Sequence, residues 1–321
     1  MNCDQYEESL QALVRQESAP YRTIDYLADE HLEVAASSAP AIVGNSNFAS
    51  SPCGKKKRRL TSSLSDDTRT SDGLCDSASA TASSVGSRTL KYWREMMCTW
   101  AYRVIDHFDL RRELVGIAMS YLDRYMSTLS NPRAVDKKQY QLVSMTCLYL
   151  AIKLYEFKHI GIPGSCSTMD TIRQLSQGNY TLQQIEEMEI DIMQRLRWHL
   201  HPPTPQAFID LFVNSESSEP GDLGNFLVEL AAMDYFFVSY KPSEIAAAAV
   251  LNATDQLYGG FPSATVSMIV QRLQPFAGPR VQECRTRLDL AYRQLGDTDD
   301  SQWQVAPGGT RSPVTVMTTS F

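Results

Sequence analysis

Between residues 88 and 295 the apolar side chains recur at intervals of three and four, with no stretch that alternates polar and apolar residues and no Asn-Gly turn. That pattern admits helices and excludes a sheet. It predicts helices over 89–108, 111–129, 136–157, 169–177 and 181–196. It then breaks at Pro202, Pro203 and Pro205, where missing amide donors and restricted preceding residues stop a helix. Five more helices are predicted beyond the break, over 205–213, 223–238, 242–257, 263–273 and 279–295. The architecture this implies is all-α, with one five-helix lobe over 88–201 and a second over 202–296. Thr181 followed by Gln184 reads as a capped helix start, and Pro205 and Pro242 stand where a first-turn proline is tolerated. The run Ala246, Ala247, Ala248 and Ala249 lets neighbours approach closely, so 242–257 is expected at the centre of the second lobe.

The flanks read differently. Residues 1–87 are dominated by Ser, Ala, Thr and Asp and cannot bury enough apolar area to offset their ordering entropy, so a mostly disordered regulatory tail is expected there. Within it Tyr6, Leu10, Leu13 and Val14 recur at helical spacing ahead of Pro20, either as a weakly helical tail or as a docking peptide that folds on binding. Residues 297–321, with Gly308 and Gly309, read as a flexible tail. The longest apolar run, Ile245 to Leu251, is far short of the roughly 20 residues that span a bilayer, and no charged-then-apolar leader opens the chain, so a soluble, non-secreted protein without a membrane partner is expected. Seven cysteines spread singly without a CxxC pair fit a reducing compartment.

The chain carries a net charge of −7, yet Lys55, Lys56, Lys57, Arg58 and Arg59 form one compact basic run. It reads as a nuclear localisation signal, which implies an import receptor as partner and a nuclear location shared with the cytoplasm by shuttling. No aromatic residues interleave with it, so direct nucleic-acid binding is not expected. Ser51-Pro52 and Ser312-Pro313 are candidate proline-directed phosphorylation sites, and phosphate at Ser51 would offset part of the run. No nucleotide-binding glycine pattern and no nucleophile elbow is present. His199 and His201 flank the interlobe prolines without further metal-ligating neighbours, so neither an enzyme nor a metal or other cofactor site is expected.

Four blocks within the first lobe carry a resemblance. Trp93-Arg94-Glu95-Met96-Met97-Cys98-Thr99-Trp100 is similar to the cyclin family's opening signature, and Tyr121-Leu122-Asp123-Arg124-Tyr125-Met126-Ser127 to its Leu-Asp-Arg-Phe-Leu-Ser stretch. Gln141-Leu142-Val143 through Leu150-Ala151-Ile152-Lys153-Leu154-Tyr155-Glu156 resembles the family's third helix. Glu186-Glu187-Met188-Glu189, with Leu196-Arg197-Trp198 and Pro203-Thr204-Pro205, resembles its fifth helix and the exit into the second lobe. The chain is identified as a member of the cyclin family, with two tandem cyclin-fold lobes.

The resemblance implies a regulatory subunit that binds and activates a cyclin-dependent kinase. Lys153 and Glu189 stand at the family's kinase-contacting positions, with Leu150, Leu154, Ile190, Met193 and Trp198 at positions that pack on the kinase's mobile helix. Arg94 and Asp123 match the family's structural ion pair, and their residue types alone suit a fork between two packed helices. A substrate-docking patch for Arg-x-Leu-type substrates or inhibitors corresponds to Trp93, Met96, Met97, Trp100, Tyr140 and Gln141. Two departures stand out: Tyr155 replaces an acidic residue at the kinase edge, and Tyr140 with Gln141 replaces Leu-Gln in the docking patch. The Leu150 to Leu154 spelling is D-type-like, and no KEN tripeptide or tail Arg-x-x-Leu is found, which leans towards G1-type rather than mitotic character. The rival readings are a transcription-associated nucleic-acid binder and a scaffold that activates no kinase. Basic and acidic side chains nearly balance over 88–296, which argues against the first, and the presence of both Lys153 and Glu189 against the second.

Overall fold

The computed structural model describes residues 3–18, 20–28, 76–156, 167–213, 218–259 and 264–296; the basic run, Ser51, Ser312 and the 297–321 tail lie outside them. Among the described residues the regular structure is helical, without a strand. The first lobe comprises α2 (Asp76–His107), α3 (Glu113–Ser127), α4 (Lys137–Tyr155), α5 (Thr168–Leu175) and α6 (Leu182–Arg195). The second comprises α7 (Pro205–Val213), α8 (Ser218–Met233), α9 (Pro242–Tyr258), α10 (Ala264–Leu273) and α11 (Pro279–Gly296). An additional helix, α1 (Cys3–Ser18), precedes both lobes.

Each lobe is organised around one helix that has no polar face over its buried length. In the first it is α4, whose residues 143–152 are all buried against α2, α3, α5 and α6. In the second it is α9, where Ala246 to Ala249 have no exposed surface and α7, α8 and α11 pack around them. The approach is closest at Gly224 of α8, where an added Cβ would lie 3.4 Å from Ile209 and 3.6 Å from Val250. Helix starts follow the sequence: Asp136 accepts from the Gln139 amide, Ser167 from Asp170, and Thr181 with Gln184 closes a capping box.

Three segments depart from expectation. α8 stops at Met233 rather than 238, because the Asp234 side chain accepts from the Phe236 amide and turns the chain into a 3-10 segment, Tyr235–Ser239. α2 begins at Asp76, ahead of the expected 89, since Ala78, Ala80 and Ala82 readily extend a helix already nucleated downstream. The third concerns 3–28, where the helical spacing of Tyr6, Leu10, Leu13 and Val14 yields a helix, α1, but the seating of this segment on both lobes was not expected. α1 packs on α7 and α9 through Leu10, Leu13 and Val14, and Arg272 sits over the Tyr6 ring at 4.9 Å. Buried Glu17 accepts from the Ser243 amide (3.0 Å) and hydroxyl (2.8 Å), placing a carboxylate at the start of α9. Tertiary contacts thus supply what the helix alone lacks.

Residues 20–28 then cross to the first lobe as a strap and meet the pair that joins everything. Arg94 of α2 and Asp123 of α3 form a two-pronged bridge, both bonds 2.9 Å, with both residues buried. The remaining Arg94 nitrogen donates to the Ala232 carbonyl at the end of α8 (2.8 Å), and the Tyr26 hydroxyl donates to Asp123 (3.1 Å). Asp123 and its neighbours outweigh the pull of burial and raise the Arg94 pKa, so the guanidinium stays charged. Beside it the Leu27 amide donates to the Tyr235 hydroxyl (3.2 Å), which donates to Asp25 (2.7 Å). Arg112 grips Glu229 of α8 at 2.6 and 2.9 Å. The bridge therefore fixes the α2–α3 register and also ties the lobes and the strap together.

Asp123→Ala leaves Arg94 buried without its counter-ion and is expected to lower the unfolding free energy by about 3–5 kcal/mol in chemical denaturation. Tyr26→Phe removes one hydrogen bond to a charged group and should cost about 1.5–3 kcal/mol. Equal losses from the two would locate the join in the strap instead of the ion pair.

Candidate functional site

α4 and α6 lie side by side, and their packing brings Lys153 and Glu189 together: Nζ is 2.6 Å from Oε1. Lys153 lies in the last turn of α4 with its side chain 49% exposed, whereas the Glu189 side chain is 8% exposed. Burial by itself would lower the lysine pKa; the hydrogen bond and charge of Glu189 outweigh it, with the Tyr149 ring 5.5 Å away, and the net shift is upward. The ammonium therefore stays charged at neutral pH, with donors left to point outward. Leu154 beside it, Ile190 beside Glu189, and Trp198 are exposed apolar side chains. Met193 is half-buried and packs on the core. Leu150, expected on this face, is instead 1% exposed and belongs to the core, because α4 is covered on all sides one turn before Lys153.

Trp198, 66% exposed, owes its position to a turn that periodicity could not reveal. After α6 both Arg197 (φ 52°) and Trp198 (φ 60°) adopt the left-handed conformation, which disfavours residues with a Cβ. Local bonds hold the turn: the Trp198 amide donates to the Met193 carbonyl (2.9 Å) and the His199 amide to Leu196 (3.0 Å). α3 and α4 hold it from below. Arg124 donates to the His199 carbonyl (2.8 Å), and the hydroxyls of Tyr121 and Tyr155 both donate to the Leu200 carbonyl. Tyr155, which departs from the acidic residue of the family pattern, is thus turned inward to this support and also meets His201 Nδ1 at 2.9 Å. Glu156 meanwhile pairs with Arg111 at 2.9 Å.

The docking-patch residues gather on α2 and the start of α4. Trp93, Met97 and Trp100 are half-buried and pack on the core, and Met96 is half-buried. Tyr140, expected in this patch, is 1% exposed with its ring 5.9 Å from that of Trp93, and belongs to the core. Gln141 accepts from the Tyr180 hydroxyl at 3.1 Å. Among the described residues no cluster of three or more His, Cys, Asp or Glu could hold a metal ion, and no helix is long and apolar enough to cross a membrane. Burial pushes the thiols of Cys98 and Cys284 up to about 12, which keeps them unreactive packing groups.

The family pattern described as Cyclin, N-terminal domain matches residues 78–201, and that described as Cyclin, C-terminal domain matches 203–286. The chain belongs to the cyclin family. Cyclins are regulatory subunits rather than enzymes. This cyclin is 30% identical over 168 residues to Cyclin-B2-2 of Arabidopsis thaliana, covering 52% of this chain and 37% of that protein. It is 31% identical over 165 residues to Cyclin-D2-2 of Oryza sativa subsp. japonica, covering 50% and 44%. In both, the match spans less than half of the relative's length. The X-ray structure of a viral cyclin from herpesvirus saimiri aligns with a TM-score of 0.49 at 17% identity, over 63% of this chain and 86% of that one. B-type and D-type relatives resemble this cyclin to the same degree and do not separate its type.

Exposed side chains away from packing carry little folding energy. Ile190→Ala and Trp198→Ala are each expected to change the stability of the isolated cyclin by less than about 0.5 kcal/mol. A loss of about 2 kcal/mol at either would show that its side chain packs into the fold rather than facing a partner.

Proposed function

We propose that this cyclin binds a cyclin-dependent Ser/Thr protein kinase and activates it by holding the kinase's mobile helix in the catalytically competent position. The observation that carries the reading is the Lys153–Glu189 pair, 2.6 Å apart, flanked by exposed Leu154, Ile190 and Trp198. A charged lysine donates to main-chain carbonyls and a carboxylate accepts main-chain amides, so the pair can grip a helix terminus or loop of the partner whatever its side chains. The exposed apolar groups supply the area that such bonds lack. Because the face is formed before the partner arrives, contact energy goes into the kinase's rearrangement: the active arrangement is favoured by the extra contacts it makes here.

Substrate choice is assigned to the half-buried Trp93, Met96, Met97 and Trp100 on the floor made by Tyr140, which would take an Arg-x-Leu-type peptide; methionines allow that groove to adapt. Nuclear import is assigned to Lys55, Lys56, Lys57, Arg58 and Arg59. The G1-type character is supported by the spelling around Lys153.

The test is kinase activity captured from cell extract and assayed on a histone-type Ser-Pro substrate. Wild-type chain should retain activity, and a Lys153→Ala, Glu189→Ala double variant should lose at least about 30-fold, the equivalent of one interface hot spot. Equal activity with both would move the interface elsewhere, and no activity with either would leave a cyclin-fold scaffold.

A further inference from the structure

The strap reaches the face just described. Tyr21 follows Pro20, where the chain leaves α1, and its ring meets the His199 ring edge-on at 5.8 Å and 84°. On its face sits the Arg124 guanidinium, 5.0 Å from the ring centre. Arg124 is 5% exposed, and among the described residues no carboxylate pairs with it; one terminal nitrogen, Nη1, is buried without a hydrogen-bond partner. Its other terminal nitrogen donates to the His199 carbonyl at 2.8 Å, one residue from Trp198. Burial lowers the Arg124 pKa. The π face of Tyr21 lies against this buried cation and helps to compensate its charge. The same cation pins a turn that places two non-glycine residues in left-handed backbone.

The strap is held at both ends and open in the middle. Glu17 binds Ser243 on one side of Tyr21, and Asp25, Tyr26 and Leu27 engage Tyr235 and Asp123 on the other. Between these anchors Tyr21, Arg22 and Thr23 line an interlobe cavity of about 440 Å³ together with Pro203, Gln206 and Tyr240. A segment over a cavity can lift without breaking the cores of the lobes.

We propose that Tyr21 is a positioning residue that couples the seating of residues 3–28 to the Trp198 turn, and so sets how firmly this cyclin presents Trp198 to its partner. The meaning of that face rests on the kinase reading above, but the coupling rests on the contacts alone. Removing the ring leaves Arg124 free to leave the His199 carbonyl, and the turn then opens to solvent.

The experiment is hydrogen exchange of the full chain without partner, read at the amides of 197–199, which are bonded within the turn. Tyr21→Ala should exchange there about tenfold faster than wild type, the loss of one aromatic and one cation–π contact. Tyr21→Leu, which keeps volume but not the π face, should behave like Tyr21→Ala, and Tyr21→Phe like wild type. Amides of 246–253 in α9 should be unchanged in all three, which separates the effect from unfolding. Exchange at 197–199 that is unaltered in both Tyr21→Ala and Tyr21→Leu overturns the proposal. Affinity for the cyclin-dependent kinase captured by wild type should weaken about tenfold in the same two variants and not in Tyr21→Phe, and unaltered affinity despite a loosened turn overturns the coupling to the partner. Should wild type capture no kinase, the kinase reading fails and the exchange still decides the positioning role.

Discussion

The bridge between Arg94 and Asp123 is the constraint on which the rest of this cyclin depends. Apolar packing alone allows helices to slide and rotate by small amounts, since it is non-directional. A planar guanidinium facing a carboxylate allows one register. Here the same guanidinium also satisfies a carbonyl at the end of α8, and the same carboxylate takes the Tyr26 hydroxyl. Four parts of the chain, two from the first lobe, one from the second and the strap, thus meet at one pair of side chains. A buried ion pair contributes little net stability relative to an apolar replacement, so its role here is specification of geometry.

From that point the geometry propagates outward to the Lys153–Glu189 face. α3, set by Asp123, supports α4 and also carries Tyr121 and Arg124 to the turn after α6. The last turn of α4 carries Lys153, α6 contributes Glu189, and the turn presents Trp198. Two residues in left-handed backbone cost about 1–2 kcal/mol each, and the bonds from Arg124, Tyr121 and Tyr155 offset that cost. The strain and its supports lie at the face proposed to meet a kinase, whereas the second lobe around its alanine-rich helix contributes the wall to which α8 and α1 are fixed.

Helix positions, the interlobe break and the central place of Ala246 to Ala249 were legible because each follows from periodicity, proline chemistry or side-chain size within one segment. The pairings of Arg94 with Asp123 and of Lys153 with Glu189 were legible only through the family resemblance, since nothing local connects residues so far apart. The seating of α1 and the strap was not legible: Glu17 finds Ser243, and Leu27 finds Tyr235, across nearly the whole chain, and composition registers only the absence of local driving force. The Trp198 turn was hidden for a different reason. Left-handed helix ends are normally announced by glycine or asparagine, and here Arg197 and Trp198 occupy them. Leu150 and Tyr140 were placed on the surface by motif, but helix phase and the depth of α4 bury both.

The central claim is that the Lys153–Glu189 face, held in place by the bridge, is where this cyclin receives a kinase. The most direct measurement is a photo-reactive amino acid placed at Ile190 in the full chain, with the same group at Leu257, an exposed site on α9, as the comparison. After illumination in cell extract the adducts are identified by mass spectrometry. The account predicts a cyclin-dependent kinase attached from position 190 and absent from position 257. Kinase adducts from both positions alike, or from 257 alone, would contradict it.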